Sequence, residues 1–305
     1  MKKWITFFAL VLIAALVLGL FAACGGDAQE PAKKDDETSA QQKTDAETEE
    51  EPSWETVPDE TEPDETEPED LNWSYCLEVD TASDDYYSED GTLLVSASCE
   101  CPVLMLSCDG DADSIPPAAM QNVCDSFNET MNEVCFSGAA EIAEMAEEDY
   151  ENNSEYFRAY EYSIAVTDSR IEGDLVEVTL QTYSYWGGAH GGSALAGYHF
   201  DLPEGAFFTL ADLTDDTAGL NGAIAEEIIR QIDESGRGDS LFDGYEDSIR
   251  NYSEYNFSIG NSAVSVIFGE YEIASYAEGI LTFDVPFDVI GAFLNERGAR
   301  LLFAE

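Results

Sequence analysis

Two histidines, one glycine-rich loop and no lysine beyond Lys43 bound the chemistry open to this chain. The loop is Gly187-Gly188-Ala189-His190-Gly191-Gly192, and it follows Tyr183-Ser184-Tyr185-Trp186. Backbone N–H groups in such a loop could cradle an anion. It has no lysine and no amphipathic helix after it, so it is not a nucleotide loop. His190 and Ser193 could be drawn as two parts of a triad, but nothing places an acid or an oxyanion hole beside them, and Ser193 is not in a nucleophile elbow. The expected role is a tight turn whose glycines permit φ > 0, with His190 fixing the loop by hydrogen bonds. His199, between Tyr198 and Phe200, is expected on the polar side of a strand. Two histidines without a supporting cluster do not make a zinc hydrolase. Asp109-Gly110-Asp111-Ala112-Asp113 lacks the glycine and closing glutamate of an EF-hand loop and reads as an acidic turn. No catalytic residue, metal or cofactor is assigned.

Apart from Cys24, six cysteines occur: Cys76, Cys99, Cys101, Cys108, Cys124 and Cys135. An even set in an exported domain suggests disulfides. Cys124 and Cys135 fall on one helix about 16 Å apart, too far to pair. Cys99 and Cys101 share one side of a strand and are poor partners. Pairs between strand and helix, or between Cys76 and the second strand, remain open.

The elements that position these residues follow from periodicity. Trp73–Val79 and Thr92–Leu106 read as strands. After Pro116-Pro117, Val123, Phe127, Met131, Val134, Gly138, Ile142 and Met145 recur at helical spacing, up to the Asn-rich stretch ending at Asn153. A hairpin runs from Tyr160 through a turn at Glu172-Gly173-Asp174 to Tyr185. In its return strand Val176, Val178 and Leu180 share one face; Glu177, Thr179, Gln181, Tyr183 and Tyr185 share the other. Aromatic groups on a polar face hint at binding, unless a second sheet or helix covers that face. Further on, Tyr198–Leu202 reads as a short strand, Leu220, Ile224, Ile228 and Ile232 as a helix stripe, and Phe242–Tyr252 as a shorter helix. Asn256–Ile259 and Ala263–Phe268 form a hairpin, Tyr271–Gly279 an aromatic and acidic loop, and Ile280–Val285 a strand. Pro286 introduces a C-terminal helix with Phe287, Ile290, Phe293 and Leu294. The expected class is α+β, with two antiparallel-sheet-plus-helix subdomains at 71–196 and 197–305.

The N-terminus reads as an export and anchoring signal. Lys2 and Lys3 precede an apolar run from Trp4 to Ala23, ending in Leu20-Phe21-Ala22-Ala23-Cys24, which resembles a lipobox with Cys24 as the lipidated residue. Residues 1–24 are thus expected to be a lipoprotein signal peptide, and 25–70 a disordered acidic stalk built on repeated Pro-Asp-Glu-Thr-Glu. A lipid anchor would hold the domains at the membrane, outside the cytoplasm. The formal charge is −53, from 65 Asp+Glu against 12 Lys+Arg, which excludes nucleic acid as a partner and favours a cationic one.

Three ordered segments carry a family resemblance. Tyr185-Trp186-Gly187-Gly188-Ala189-His190-Gly191 resembles a Gly-Gly-Ala-His-Gly signature. Phe200-Asp201-Leu202 through Leu210-Ala211-Asp212-Leu213 is similar to an Asp-Leu…Leu-x-Asp-Leu segment. Tyr271-Glu272-Ile273-Ala274-Ser275-Tyr276-Ala277-Glu278-Gly279 is similar to Tyr-Glu-Ile-Ala-Pro-Tyr-Ala-x-Gly, with Ser275 in place of proline. Together they resemble the tandem envelope domains of RsiV-type lysozyme-sensing anti-sigma factors and PdaC-type peptidoglycan deacetylases. The resemblance implies a non-catalytic module that binds a cationic, lysozyme-like protein or peptidoglycan. No sigma-binding segment or deacetylase domain is read in this chain, so neither activity is expected. Ligand contacts are expected from Tyr183, Tyr185, Trp186, His190, Tyr271 and Tyr276. The alternative is a cell-wall hydrolase, or an accessory domain of one, centred on His190.

Overall fold

Buried apolar residues alternate through Val95, Ala97, Cys99 and Cys101, and this makes the centre of the long strand β2 (Leu93–Cys108). Strand β1 (Trp73–Tyr87) lies antiparallel along it. In this computed structural model residues 72–109 and 114–303 are described. The proposed signal with Cys24, the stalk, and Gly110–Asp113 of the acidic turn lie outside the described residues. Strand β1 runs to Tyr87 rather than to Val79 because an edge strand needs no apolar alternation. Its Glu78, Asp80, Asp84 and Asp85 charge the edge against further pairing.

Helix α1 (Ala118–Asn153) starts directly after Pro117 and buries Phe127, Met131, Val134, Gly138 and Ile142, as the periodicity predicts. A side chain at Gly138 would overlap the Tyr162 hydroxyl, so this glycine lets the phenol pack against the helix. Strands β3 (Tyr160–Glu172), β4 (Leu175–Tyr185), β5 (Gly192–Asp201) and β6 (Ala206–Phe208) complete a six-stranded sheet in the order β1-β2-β3-β4-β5-β6. All neighbours are antiparallel except β2 and β3, which run parallel. That departs from a wholly antiparallel sheet. Helix α1 carries the chain back along the sheet between the two strands, as a parallel pair requires. Gly173, at φ 57, makes the tight β3–β4 turn. The bulge between Val166 and Asp168 is held by Glu100, whose carboxylate accepts the Val166 N–H at 2.9 Å. The segment expected at Tyr198–Leu202 is the end of the longer β5, so the 196/197 boundary falls inside that strand.

A second sheet, β7 (Asn256–Ile259), β8 (Ala263–Phe268) and β9 (Leu281–Pro286), is antiparallel. Helix α2 (Thr217–Ser235) packs Leu220, Ile224, Ile228 and Ile232 against its Val264, Val266, Phe268 and Val285. Asp216 caps α2 by accepting the Gly219 N–H at 2.9 Å, and Gly236, at φ 67, ends it. The helix expected at Phe242–Tyr252 is shorter, α3 (Tyr245–Arg250), because Gly244 turns left-handed at φ 83 just before it. The expected C-terminal helix is broken. A single turn, α4 (Phe287–Ile290), gives way to a 3-10 turn at Gly291–Phe293, and Asn295 caps a new helix, α5 (Glu296–Leu302). Both sheets belong to the unit Leu71–Glu305. No helix among the described residues is long and apolar enough to cross a membrane.

Candidate functional site

The core side of the six-stranded sheet packs on α1 through Val176, Val178 and Leu180. Its opposite side carries the polar alternates of β4, and β7 crosses part of it. Asn256 bonds the β5 backbone twice, accepting from the Gly197 N–H at 3.1 Å and donating to the Leu195 carbonyl at 2.6 Å. Phe257 stacks on His199 with ring centroids 3.9 Å apart. The Ile259 N–H donates to Glu177 Oε1 at 2.6 Å, and the Ile259 carbonyl accepts from Arg170. His199 takes the polar side of β5, as expected, opposite Glu177 on β4. It is 2% exposed, because β7 closes over the strand face that carries it.

Glu177 and His199 are cross-strand partners, and both are buried. Burial pushes the Glu177 carboxyl up to about 7, against the lowering influence of the Ile259 N–H and Arg170. Burial first, and Arg170 second, hold His199 down at about 3. At neutral pH His199 is an uncharged ring under Phe257. These groups join two sheets and are closed to a ligand.

Asp201 does similar work at the end of β5. Fully buried, it accepts from Arg297 at 2.8 Å and Arg300 at 2.7 Å, which ties α5 to the large sheet. Asp212 closes a capping box with Thr209, accepting the Thr209 N–H at 2.8 Å. The two aspartates of the Asp-Leu…Leu-x-Asp-Leu segment are therefore structural.

Away from β7 the polar face carries a shallow cleft of about 320 Å³ lined by Ser96, Ser98, Glu161, Tyr162, Ser163 and Tyr183. The glycine loop stands at one end of it. Gly187 turns at φ 70, and the Tyr185 hydroxyl donates to the Gly188 carbonyl at 3.0 Å. A side chain on Gly191 would strike the Tyr183 ring, so that glycine permits the loop to fold onto β4. His190 is exposed, with Nδ1 2.9 Å from the Gly191 carbonyl, as a loop-fixing histidine should be. Trp186 is 37% exposed beside it.

The loop Gly269–Gly279 meets this turn from the other side. Tyr276 donates its hydroxyl to the Gly191 carbonyl at 3.0 Å and stacks on His190 at 4.1 Å. Tyr271 continues the stack, 5.9 Å from Tyr276, and is 57% exposed. It has φ 66, a left-handed conformation that a tyrosine adopts at a cost of about 1 kcal/mol. Glu270 stands against Gly192, and Glu272 closes the turn by accepting the Gly269 N–H at 2.8 Å. Tyr183, Tyr185, His190, Tyr271 and Tyr276 thus converge from segments eighty residues apart, with Trp186 at the rim. Sequence reasoning missed the Ser96–Ser98–Ser163 floor and Glu270. The register Ser98↔Ser163↔Tyr183 that assembles the floor needs the parallel pairing of β2 and β3.

The second loop lies inside a recognisable stretch. Residues 211–288 match the family model described as "Protein of unknown function (DUF3298)". That stretch is similar to the DUF3298 family. It spans α2, α3, the three-stranded sheet and the Tyr271–Tyr276 loop, while His190 and the six-stranded sheet lie outside the match. A crystal structure of a DUF3298 family member from Bacteroides fragilis is similar at 15% identity, covering 73% of this chain and 94% of that one, with a TM-score of 0.53. A DUF3298 family protein from Pseudomonas aeruginosa aligns at 11% identity over 72% of this chain and 95% of that one, with a TM-score of 0.45. The first likeness shows a shared fold. No curated protein matches the chain. Among the described residues, no cluster of three or more His, Cys, Asp or Glu is arranged to hold a metal ion.

Proposed function

We propose that this chain is a surface lipoprotein whose DUF3298-like domain and six-stranded sheet together form a non-catalytic receptor for a cationic, lysozyme-like protein. The single observation that carries this reading is the stacked His190–Tyr276–Tyr271 ladder, in which the glycine loop and the Gly269–Gly279 loop meet, with Glu270 against Gly192. Stacked rings with a carboxylate nearby suit lysine and arginine side chains.

Charge supports the same partner. Six of the seven arginines after Lys43 are ion-paired: Arg170, Arg230, Arg237, Arg250, Arg297 and Arg300. The remaining one, Arg158, donates to Tyr185 at 3.4 Å. The positive charge of a complex then has to come from the partner. The likeness of the glycine loop and the Tyr271–Gly279 segment to the lysozyme-sensing tandem points the same way. Lipidation at Cys24 and the acidic stalk would place the module outside the cytoplasm. A second reading, peptidoglycan binding, is favoured by the serine-lined cleft beside exposed Trp186, a surface that suits sugar hydroxyls and ring faces.

Calorimetric titration of the Leu71–Glu305 unit with lysozyme tests the proposal. Saturable binding is expected at 0.15 M salt, weakened at least about 10-fold in a His190→Ala/Tyr276→Ala double variant. Loss of binding with salt and no effect of the variant would reduce it to bulk charge attraction. Saturable binding of glycan fragments instead of lysozyme would select the second reading. Tyr271→Gly separates binding from stability. Glycine relaxes the left-handed backbone, so an unchanged or raised melting temperature is expected together with weaker binding.

A further inference from the structure

Three thiols of the large-sheet core lie together. Cys99 and Cys101 alternate onto the α1 side of β2, at 6% and 2% exposure, and Cys135 faces them from α1 at 1%. The Cys135 Sγ is 3.8 Å from the Glu100 carbonyl, the residue between the two strand cysteines. The Cys101 Sγ reaches toward α1 as well, 4.0 Å from Asn132 Oδ1, one helical turn before Cys135. The Cys135 thiol meets both strand thiols, and the contact with Cys101 raises the Cys135 thiol while lowering Cys101. Two other cysteines are placed differently: Cys124 is a helix residue that feels Asp125 and Cys76, and Cys76 is paired across β1–β2 with Met105.

We infer that Cys101 and Cys135 form a disulfide that staples β2 to α1, while Cys99 stays a thiol. The bond joins residues 34 positions apart and closes the βαβ crossover, the part of the fold with the longest helix. The step is an exchange with a disulfide donor of the glutathione-disulfide class. The Cys101 thiolate attacks the donor, which releases one thiol; the Cys135 thiolate then attacks Cys101 Sγ of the mixed disulfide and releases the second. Two protons and two electrons leave the protein, and the donor is reduced to two thiols. Burial of all three sulfurs sets the time of this reaction during folding, before α1 closes over β2, and afterwards shields the bond from reductant. The inference does not depend on what the cleft binds.

The test is to refold the full chain in mixed reduced and oxidised glutathione, block free thiols with N-ethylmaleimide, and digest with a protease that cuts after glutamate. Cleavage after Glu100 places Cys99 and Cys101 on different peptides. The expected result is a Cys101–Cys135 crosslinked peptide and a maleimide-labelled Cys99. Cys101→Ser is expected to melt about 10 °C lower than the parent under oxidising conditions, with the gap closing in reductant, whereas Cys99→Ser keeps the crosslink. A Cys99–Cys135 peptide, or maleimide on both Cys101 and Cys135, would overturn the inference, even if a serine variant fails to fold.

Discussion

Gly197→Ala lowers the melting temperature of the Leu71–Glu305 unit by roughly 10 °C, equivalent to about 3 kcal/mol in a domain of this size. The cause is contact with main chain. A methyl group on Gly197 would overlap the Phe257 carbonyl and come within 3.1 Å of the His199 ring. Side chains can rotate away from an added methyl. The Phe257 carbonyl cannot, because Asn256 is clamped to the Gly197 N–H and the Leu195 carbonyl, and Ile259 is clamped to Glu177 and Arg170. The only relief is for β7 to lift from the sheet, which exposes Phe257 and leaves Glu177 and His199 without their cover. Differential scanning calorimetry measures the effect. Gly222→Ala, where nothing lies within 4 Å of the added group, serves as the control and is expected to leave the melting temperature unchanged or raise it. Equal melting temperatures for Gly197→Ala and the parent would mean that β7 does not press on β5.

Replacing Glu177 or His199 tilts the pH dependence of stability in opposite directions. Glu177 titrates near 4.5 when unfolded and near 7 when folded; its contribution is complete below pH 4.5 and lost as pH rises toward 7. His199 titrates near 6.5 when unfolded and near 3 when folded; its contribution is complete above pH 6.5 and lost as pH falls toward 3. Between pH 4.5 and 6.5 the pair binds one proton in either state, on Glu177 when folded and on His199 when unfolded, so its two slopes cancel. The charged groups around the pair are Arg170, which favours ionised Glu177, and Asp168 and Glu172, which oppose it. Glu177→Gln keeps an acceptor for the Ile259 N–H and removes one titration. Its stability relative to the parent is expected to rise by about 1.4 kcal/mol per pH unit across that window. His199→Phe keeps the stack on Phe257 and is expected to fall by the same amount. Urea unfolding at pH 4.5, 5.5 and 6.5 reads both slopes, and curves parallel to the parent would contradict the assigned protonation states.

The parts of the fold that were legible in sequence are those with one buried face. The stripe from Phe127 to Ile142 marks α1, and Val176–Leu180 marks the core side of β4. Strand β1 beyond Val79 was not legible, because Asp80–Tyr87 buries no regular face and is ordered by pairing with β2. The broken C-terminus escaped for a related reason. Phe287, Ile290 and Phe293 keep a helical spacing while the backbone shifts to a 3-10 turn and restarts at Asn295. Alternation put His199 on the right side of its strand, but its burial was not legible, because alternation says nothing about a second sheet arriving there. The site was readable as two separate aromatic segments. Their meeting at the Gly191 carbonyl is a tertiary fact, as is the serine floor between β2 and β3.

Amide hydrogen exchange with and without saturating lysozyme tests the central claim most directly. The expected result at 0.15 M salt is protection concentrated in residues 186–192 and 269–279, the two loops that hold the His190–Tyr276–Tyr271 ladder, with β1 and α3 unchanged. Protection spread thinly over the acidic surface, or none in those two loops under conditions where lysozyme binds, would contradict it.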